Sequence, residues 1–352
     1  MATTFIESPI LSGSTVPTAD ADSIKVSTTE AKLAVSLSCG DITFFSADLY
    51  AYNGVVELFD PGTLIEDYFR ARGLTMAPVV ITFGDTSAEA TFIYCEQLFI
   101  ADFSPSKNFL LSSSVRRVHR GSVVRLAAAP AQANANFVIK AVGHDSSGYI
   151  ASFSYTSTRP IPDSLYTELD VDSMIKTLLN IEENPLVDVI YFAVTLGKRQ
   201  LLCYITPSPA YLTFCFRNVF NIPELLDVEG VMVTKTETSR DSASCRGRIV
   251  QYDRKTDRTY QVTTGPVTAE EAESYEQLIA SHQAQVMVND TPYDIAIEDH
   301  TCEQSTADDT LTAYKFTWRF TGRRPVKFES EMFGAAPSNW GVFSAEYSEE
   351  YD

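Results

Sequence analysis

Apolar and polar residues alternate with a period of two along most of this chain. In the run KLAVSLSC, Leu33, Val35 and Leu37 fall on one face and mostly polar residues on the other. An Asn-Gly pair at 53–54 separates two such runs and predicts a β-hairpin over 42–59. Such short, closely spaced strands predict a β-sandwich or barrel. Further candidate strands are 78–83, 88–95, 107–113, 121–128, 136–143 and 148–156.

The second half continues the pattern after a proline-containing break at 157–164. Candidate strands include DVIYFAVTL, QLLCYI, AYLTFCFRN and GVMVTKTETS, and a turn at DRKTD predicts a further hairpin over 245–264. Because 352 residues exceed what one core usually serves, we expect two tandem β-sandwich or barrel-like domains. The expected division is an N-terminal arm at 1–22, domains at 23–158 and 163–328, and an acidic tail at 329–352.

Two helices are predicted, one in each domain. The first covers 61–72, where Asp-Pro precedes an apolar stripe and a glycine follows it. The second covers 268–281, where Thr268 and Glu271 match the T-x-x-E capping box. We therefore expect a mainly β fold in which one α-helix covers each domain.

Each predicted helix lies between two predicted hairpins, and this order occurs once in each half of the chain. It indicates either an internal duplication or two unrelated β domains that each carry a covering helix. Residue identity between the two copies is weak, so both interpretations stay open.

Composition and charge restrict the function further. The 45% hydrophobic content supplies well-filled cores and argues against global disorder. A formal net charge of −19 argues against nucleic acid or an anionic membrane as partner, since both need a positive surface. We expect neither export nor membrane insertion, and therefore free thiols at the six cysteines. The sequence predicts no cofactor and no metal site.

Three stretches contain residue types used in catalysis or metal binding. GHDSSG holds His, Asp and Ser at 144–146, but neighbours on one turn cannot align as a triad, which favours a plain turn. EDH at 298–300 lacks zinc or calcium ligand spacing, and the D-x-D pairs at 20–22 and 170–172 favour helix caps or loops. We therefore predict no catalytic residues, although nothing in the sequence excludes a glycosidase carboxylate pair.

Basic residues form two islands, RRVHR and GRRPVK, in this acidic chain. Such islands would attract an acidic neighbour, for example the EYSEEYD tail of another copy. The alternative is a solvated strand edge, where positive charge discourages unwanted pairing. The candidate partner contacts are Arg116, Arg117, Arg120, Arg323, Arg324, Glu349 and Glu350.

The order of segments between about 210 and 325 is similar to a known group of proteins. YLTFCFRNVFNIPE leads to VMVTKTETS and CRGRIVQYDRKTDRTYQVTT, and then to the helix TAEEAESYEQLIAS. AQVMV, YDIAIEDH and LTAYKFTWRFTGRRP follow. This arrangement resembles the C-terminal part of tail-tip and baseplate proteins, distal-tail-like, of tailed bacteriophages and prophages of gut bacteria.

The resemblance implies a structural virion protein that forms a ring, contacts other tail proteins and is assembled in the host cytoplasm. It carries over no catalytic residue. Two other classes stay open. A surface adhesin or carbohydrate-binding module would show clustered exposed aromatic residues, and this chain has two tryptophans. A tail-borne glycan hydrolase would show a deep pocket with two facing carboxylates.

Overall fold

The fold of this chain is mainly β, as the alternation predicts. Three large hydrophobic cores follow one another in the described residues, and one α-helix covers each core. The computed structural model describes residues 3–7, 14–21, 23–96, 103–129, 136–160, 166–207, 211–289, 291–303 and 312–322.

The first core lies between two sheets and a helix. Its elements are β1 (Thr4–Glu7), β2 (Thr15–Pro17), β3 (Ile24–Ser27), β4 (Lys32–Cys39), β5 (Ile42–Tyr50), β6 (Val55–Leu58), α1 (Pro61–Arg72), β7 (Met76–Phe83) and β8 (Thr86–Ile93). One sheet has the order β2-β8-β7-β4-β5 and the other β1-β3-β6. In β4, Leu33, Val35 and Leu37 are buried, as the alternation predicts.

Helix α1 covers the residues predicted for it. The Asp60 side chain accepts a hydrogen bond from the backbone N–H of Thr63, and Gly73 ends the helix with a φ of +65°. Ile65 and Phe69 are fully buried in the first core. The capping residues and the apolar stripe therefore act as the sequence indicates.

The hairpin predicted over 42–59 is wrong, although its turn exists. Both residues at 53–54 have positive φ, at 52° and 76°, as a type I′ turn requires. A single bridge joins Tyr52 to Val55. Beyond this bridge the two strands do not form a hairpin, since β5 pairs with β4 and β6 pairs with β3. Pairing with β3 places Val56 of β6 in the first core, where it is completely buried.

The second core is built on both sides of the break at 157–164. Its elements are β9 (Val115–Val118), β10 (Val123–Leu126), β11 (Asn136–His144), β12 (Ile150–Pro160), β13 (Thr167–Asp170), α2 (Val171–Leu179), β14 (Tyr191–Leu196) and β15 (Arg199–Ile205). Strands β10 and β13 pair, and the larger sheet has the order β12-β11-β14-β15-β9. Pro160 is tolerated because β12 is an edge strand. Residues 107–113, predicted as a strand, are irregular and precede β9.

Helix α2 is a third helix that the sequence analysis did not predict. Asp170 caps it by accepting a hydrogen bond from the backbone N–H of Ser173. The D-x-D pair at 170–172 is thus a helix start, and Asp172 forms an ion pair with Lys176 one turn later. The residues that α2 buries in the second core are Val171, Met174, Ile175 and Leu178.

The third core fills a closed barrel with the order β16-β17-β18-β21-β20-β19. The elements are β16 (Tyr211–Arg217), β17 (Pro223–Cys245), β18 (Arg248–Thr264), α3 (Ala269–Ala280), β19 (Ala284–Val288), β20 (Thr291–Glu303) and β21 (Ala313–Phe320). Both hydrogen bonds of the predicted capping box start α3. Inside the barrel, Trp318 stacks on Tyr260 with 4.6 Å between ring centroids, and α3 contributes the fully buried Leu278.

Strands β17 and β18 continue far beyond the barrel as a two-stranded ribbon. Neighbouring strands β16 and β21 pair with them no further out than Glu229 and Tyr260. From there to Cys245 and Arg248 at the tip, β17 and β18 pair only with each other. We call residues 235–259 the ribbon, because the register partners of 231–234 still pair with β21. The ribbon is about 35 Å long at about 3.3 Å per residue.

The hairpin predicted over 245–264 is also wrong, because the predicted turn DRKTD lies inside β18. The chain turns instead at Arg246 and Gly247, whose φ values are 51° and 75°. DRKTD lies beside a bulge, where the register shifts between Asp241 and Ser242. Two adjacent positive φ angles define a tight turn, whereas polar residues on an exposed ribbon remain extended.

A helix followed by a hairpin occurs twice, as α1 with β7 and β8 and as α3 with β19 and β20. The first hairpin belongs to an open sheet and the second to a closed barrel. This difference in architecture favours two unrelated units over an internal duplication.

A smaller hydrophobic cluster joins the three cores. Ile93 comes from the end of β8, Leu110 and Ala127 come from segments next to β9 and β10, and Phe220 comes from the loop after β16. Strand β9 contacts α3 and, through Arg116, β17, and this junction forms the candidate site.

Candidate functional site

The first basic island lies where the second core meets the barrel. Arg116 is buried in β9 and forms an ion pair with Glu224 of β17. Arg117 pairs with Glu271 of α3, with 2.8 Å between Nε and Oε1. Arg120 is exposed. Carboxylates of the same chain therefore engage two of the three arginines.

The other predicted partner contacts lie outside the described residues. These are Arg323 and Arg324 of the second basic island, and Glu349 and Glu350 of the acidic tail. The proposed attraction between the basic islands and the tail of another copy stays a prediction.

The pair of Arg116 and Glu224 belongs to a buried polar network. Glu224 accepts hydrogen bonds from the backbone N–H of Ser112 at 3.0 Å, from the Ser112 hydroxyl and from Nδ2 of Asn218 at 2.6 Å. Arg116 also donates to the Leu225 carbonyl oxygen at 3.2 Å. Burial lowers the pKa of Arg116 to about 10, so the guanidinium is still charged at neutral pH. Such partners are what make a buried ion pair tolerable.

Two more carboxylates of β17 extend this network along the junction. Asp227 accepts hydrogen bonds from the Ser122 hydroxyl and, at 2.6 Å, from the Thr213 hydroxyl. Oε1 of Glu229 lies 3.3 Å from Nε2 of His119, and His119 is buried immediately after β9. Strand β17 thus presents a row of acceptors to the donors of the second core.

Helix α3 is fastened to the same junction from the other side. Glu271 completes the capping box and binds Arg117, so one carboxylate serves both the helix and the junction. The Ser113 hydroxyl donates to the Glu270 carbonyl oxygen, and the Ser274 hydroxyl lies 2.8 Å from that of Ser112. The network therefore ties a strand of the second core to both a strand and the helix of the third.

The junction leaves no room for a substrate. The cavity beside Arg116, Arg117 and Glu271 has a volume of about 10 Å³, close to the minimum needed for a single water. The charged side chains at this junction therefore hold the second core against the barrel.

Two open grooves lie on the barrel. One, of about 670 Å³, lies where the ribbon leaves the barrel and is lined by Asp257, Arg258 and Arg319 among other residues. The other, of about 450 Å³, lies between α3 and β20 and includes Glu276 and His300. Among the described residues, the lining of each groove contains one carboxylate.

GHDSSG forms a turn, as the sequence analysis favours. Asp145 accepts hydrogen bonds from the backbone N–H groups of Ser147 and Tyr149, and this closes the hairpin of β11 and β12. The side chain of His144 contacts Asp188, with 3.0 Å between Nδ1 and Oδ2. This hydrogen bond lowers the pKa of Asp188.

The remaining acidic stretches serve local structure. Glu298 forms an ion pair with Arg319, with 2.6 Å between Oε1 and Nε, and His300 lines the second groove. Asp20 lies in a short 3-10 helix, whereas residue 22 is outside the described part. In the described segments, no group of three or more His, Cys, Asp or Glu side chains is arranged to hold a metal ion.

The cysteines with described side chains are free thiols, as predicted, and lie in or next to strands. They are Cys39, Cys95, Cys203, Cys215 and Cys302. Burial raises the pKa of Cys203, the register partner of Arg116, to about 12. No helix of the described segments is long and apolar enough to cross a bilayer.

Sequence reasoning missed a charged cluster at the end of β8. Arg70 of α1 donates to the Tyr94 hydroxyl at 3.1 Å and forms an ion pair with Glu96 at 2.8 Å. Glu66, one turn earlier, accepts a hydrogen bond from the Thr18 hydroxyl at 2.9 Å, and burial raises its pKa. The cluster fastens α1 to the residues after β8. The only local signal was the spacing of Glu66 and Arg70 on one helix face.

Comparisons with known proteins give limited information. No protein-family model and no curated protein matches this chain. A solved structure described as "Cryo-EM structure of the anti-feeding prophage (AFP) baseplate, 6-fold symmetrised" is similar over 34% of this chain and 95% of its own. The identity is 12% and the TM-score 0.22, which does not define a shared fold.

Proposed function

We propose that this chain is a structural protein of a phage tail, a component of the tail tip or baseplate. In this role it assembles with copies of itself into a ring and docks neighbouring tail proteins, without catalysing a reaction. The observation that carries the proposal is the placement of charge. Two ion pairs, of which Arg116–Glu224 is fully buried, join the second core to the barrel, whereas exposed charges line a ribbon that extends about 35 Å from the barrel.

Rigidity and overall charge support this role. A ring subunit must hold its contacts to neighbours in a fixed relation, and the hydrogen bonds and ion pairs of the junction between the second core and the barrel support this. The resemblance of segments 210–325 to tail-tip proteins agrees with assembly in the host cytoplasm and a place in the virion tail. A net charge of −19 would also let DNA pass through a tail without binding the subunits.

Particle images and solution mass test the proposal. We expect electron microscopy of the purified chain at micromolar concentration to show rings, with a mass several times 38.9 kDa. A strict monomer that binds glycans would favour an adhesin and overturn the proposal. Measurable glycan hydrolysis would overturn it as well.

A further inference from the structure

The ribbon is solvent-exposed on both faces along most of its length. Ile249 near the tip is 80% exposed, and Val231 and Val233, where the ribbon leaves the barrel, are 59% and 49% exposed. Every described side chain from Lys235 to Ser244 is also exposed. An isolated two-stranded ribbon is marginally stable in water, so exposed apolar residues on a ribbon of this length indicate a surface that a partner covers.

The register sorts the charges of the ribbon onto two faces. Directly opposite residues of an antiparallel pair lie on the same face, and faces alternate along each strand. Arg240 and Arg258 fall on one face with Thr234, Thr236 and Thr238. We call this the arginine face. The sequence places no Asp or Glu on it between Met232 and Arg240 or between Arg254 and Val262.

The opposite face carries the acidic residues of the ribbon, and we call it the carboxylate face. Two lysines accompany them, and Lys255 forms an ion pair with Asp257 at 3.2 Å. The carboxylates nevertheless outnumber the lysines on this face. The acidic residues are Glu237, Asp241, Asp253 and Asp257, and the lysines are Lys235 and Lys255.

The geometry points to contact between ribbons of neighbouring copies. We propose that the arginine face of one ribbon lies on the carboxylate face of the ribbon of a second copy of this chain. This inference rests on the proposed function and names the element that joins the copies. Each ribbon has one face of each sign, so the contact is head-to-tail, and repeating it generates a closed ring when the rotation between copies permits.

The size of the faces sets the strength of such a contact. A ribbon about 35 Å long and about 10 Å wide offers about 350 Å² per face. Stacking two faces would bury about 700 Å², the size of a weak contact, which a closed ring repeats at every copy.

A second copy fits the ribbon better than nucleic acid does. The ribbon carries seven Lys or Arg and four Asp or Glu, and the acids would face the phosphates on one side. The rest of the chain is strongly acidic and would repel a phosphate backbone. A second copy meets both faces of the ribbon with opposite charge.

Charge exchange on the full chain tests the contact. The first variant carries Arg240→Glu and Arg258→Glu, and the second carries Asp241→Lys and Asp257→Lys. In the register, Arg240→Glu lies opposite Arg254 and Asp257→Lys lies opposite Glu237, while Asp257→Lys also removes the ion pair with Lys255. The control carries Lys107→Glu and Lys198→Glu, which make the same charge change as the first variant at exposed sites outside the ribbon.

We expect sedimentation velocity to show weaker self-association for each ribbon variant, by at least about tenfold in Kd, and no loss for the control. Mixing the two ribbon variants should restore assembly, because each altered face then meets one of opposite sign. Raised NaCl should weaken the wild-type assembly.

Three outcomes would overturn the inference. If wild type assembles and both ribbon variants assemble equally well, the ribbon is not the contact, while the proposed ring function stands. If wild type stays monomeric, the ring function fails together with the ribbon contact. Tight binding of duplex DNA that the first variant abolishes and the control retains would identify nucleic acid as the partner instead.

Discussion

At the scale of single residues, the junction depends on keeping a buried charge paired. Glu224→Gln preserves the shape of the side chain but leaves Arg116 charged and buried without its counterion. Removing one partner of such a pair typically costs about 3–5 kcal/mol. We expect urea unfolding to show a loss of this size.

The matched control for that prediction is Glu298→Gln. It breaks the exposed ion pair with Arg319, and exposed pairs contribute about 0–1 kcal/mol. Equal losses for the two variants would show that the junction pair contributes no more than a surface pair does.

Glu66 makes the stability of the first core depend on pH. Burial raises its pKa in the folded state, so folding favours the protonated form. The stabilisation from this group is fully present below its unfolded pKa and is lost as pH rises through the raised folded value. Glu66→Gln keeps an acceptor for Thr18 and removes the titration.

Thermal melts check the prediction for Glu66. We expect the difference in Tm between Glu66→Gln and wild type (variant minus wild type) to be larger at pH 7 than at pH 4. Asp67→Asn, at an exposed neighbouring position, controls for general charge effects on α1. A constant difference across pH would contradict the assigned role of Glu66.

The role of Arg116 illustrates what the sequence could not predict at this scale. RRVHR correctly indicated a concentration of positive charge in an acidic chain. Whether an arginine contacts a neighbour, solvent or an internal carboxylate depends on Glu224, which is distant along the chain. No local pattern encodes that pairing.

At the scale of elements, Gly62 is a position where helix propensity and tertiary packing predict opposite effects of a substitution. Helix propensity alone predicts that Gly62→Ala stabilises α1 by about 1 kcal/mol. A Cβ at this position would lie 2.2 Å from the Thr18 carbonyl oxygen, so the backbone of the short 3-10 helix would have to shift. We therefore expect destabilisation by about 1–3 kcal/mol, measured by urea unfolding.

Gly265→Ala is the control for this prediction. No heavy atom lies within 4 Å of a Cβ built at Gly265, so a gain of about 0.4–1 kcal/mol is expected from the unfolded state. If Gly62→Ala were also stabilising, the contact with Thr18 would be easily relieved.

The elements show which sequence signals are reliable. Helices α1 and α3 were predictable because their caps and stripes are local. Helix α2 was not predicted although Val171, Met174, Ile175 and Leu178 have helical spacing, because nine residues show that spacing over little more than two turns. Both predicted hairpins before the helices were wrong, the first because β6 pairs with β3 across the sheet and the second because the turn lies at Arg246 and Gly247.

At the scale of the whole molecule, the mainly β class followed from alternation, but the assembly of the cores did not. The second core joins strands from both sides of a proline-containing break, and β19 pairs back with β16 to close the barrel. These contacts connect residues far apart in the chain. The ribbon, in contrast, needed only the Arg-Gly turn to be located, because its two strands are adjacent in sequence.

The ribbon should be dispensable for folding but needed for assembly. Within the described residues, no side chain of 237–257 belongs to the barrel core, whereas Tyr260 is fully buried there. Replacing 237–257 with Asn-Gly joins Thr236 to Arg258, which face each other in the register, through a favoured turn. We expect this shortened chain to melt within a few degrees of wild type and to lose self-association.

Tyr260→Ala, in the same strand, should have the opposite effect, because it weakens folding and leaves the assembly surface intact. It removes the ring stacked on Trp318 inside the barrel and should cost about 3–5 kcal/mol, while leaving the ribbon in place. Circular dichroism melts and sedimentation velocity on both variants separate folding from assembly. A shortened chain that unfolds would mean that the ribbon stabilises the barrel, and its exposed charges would then need a role within the chain.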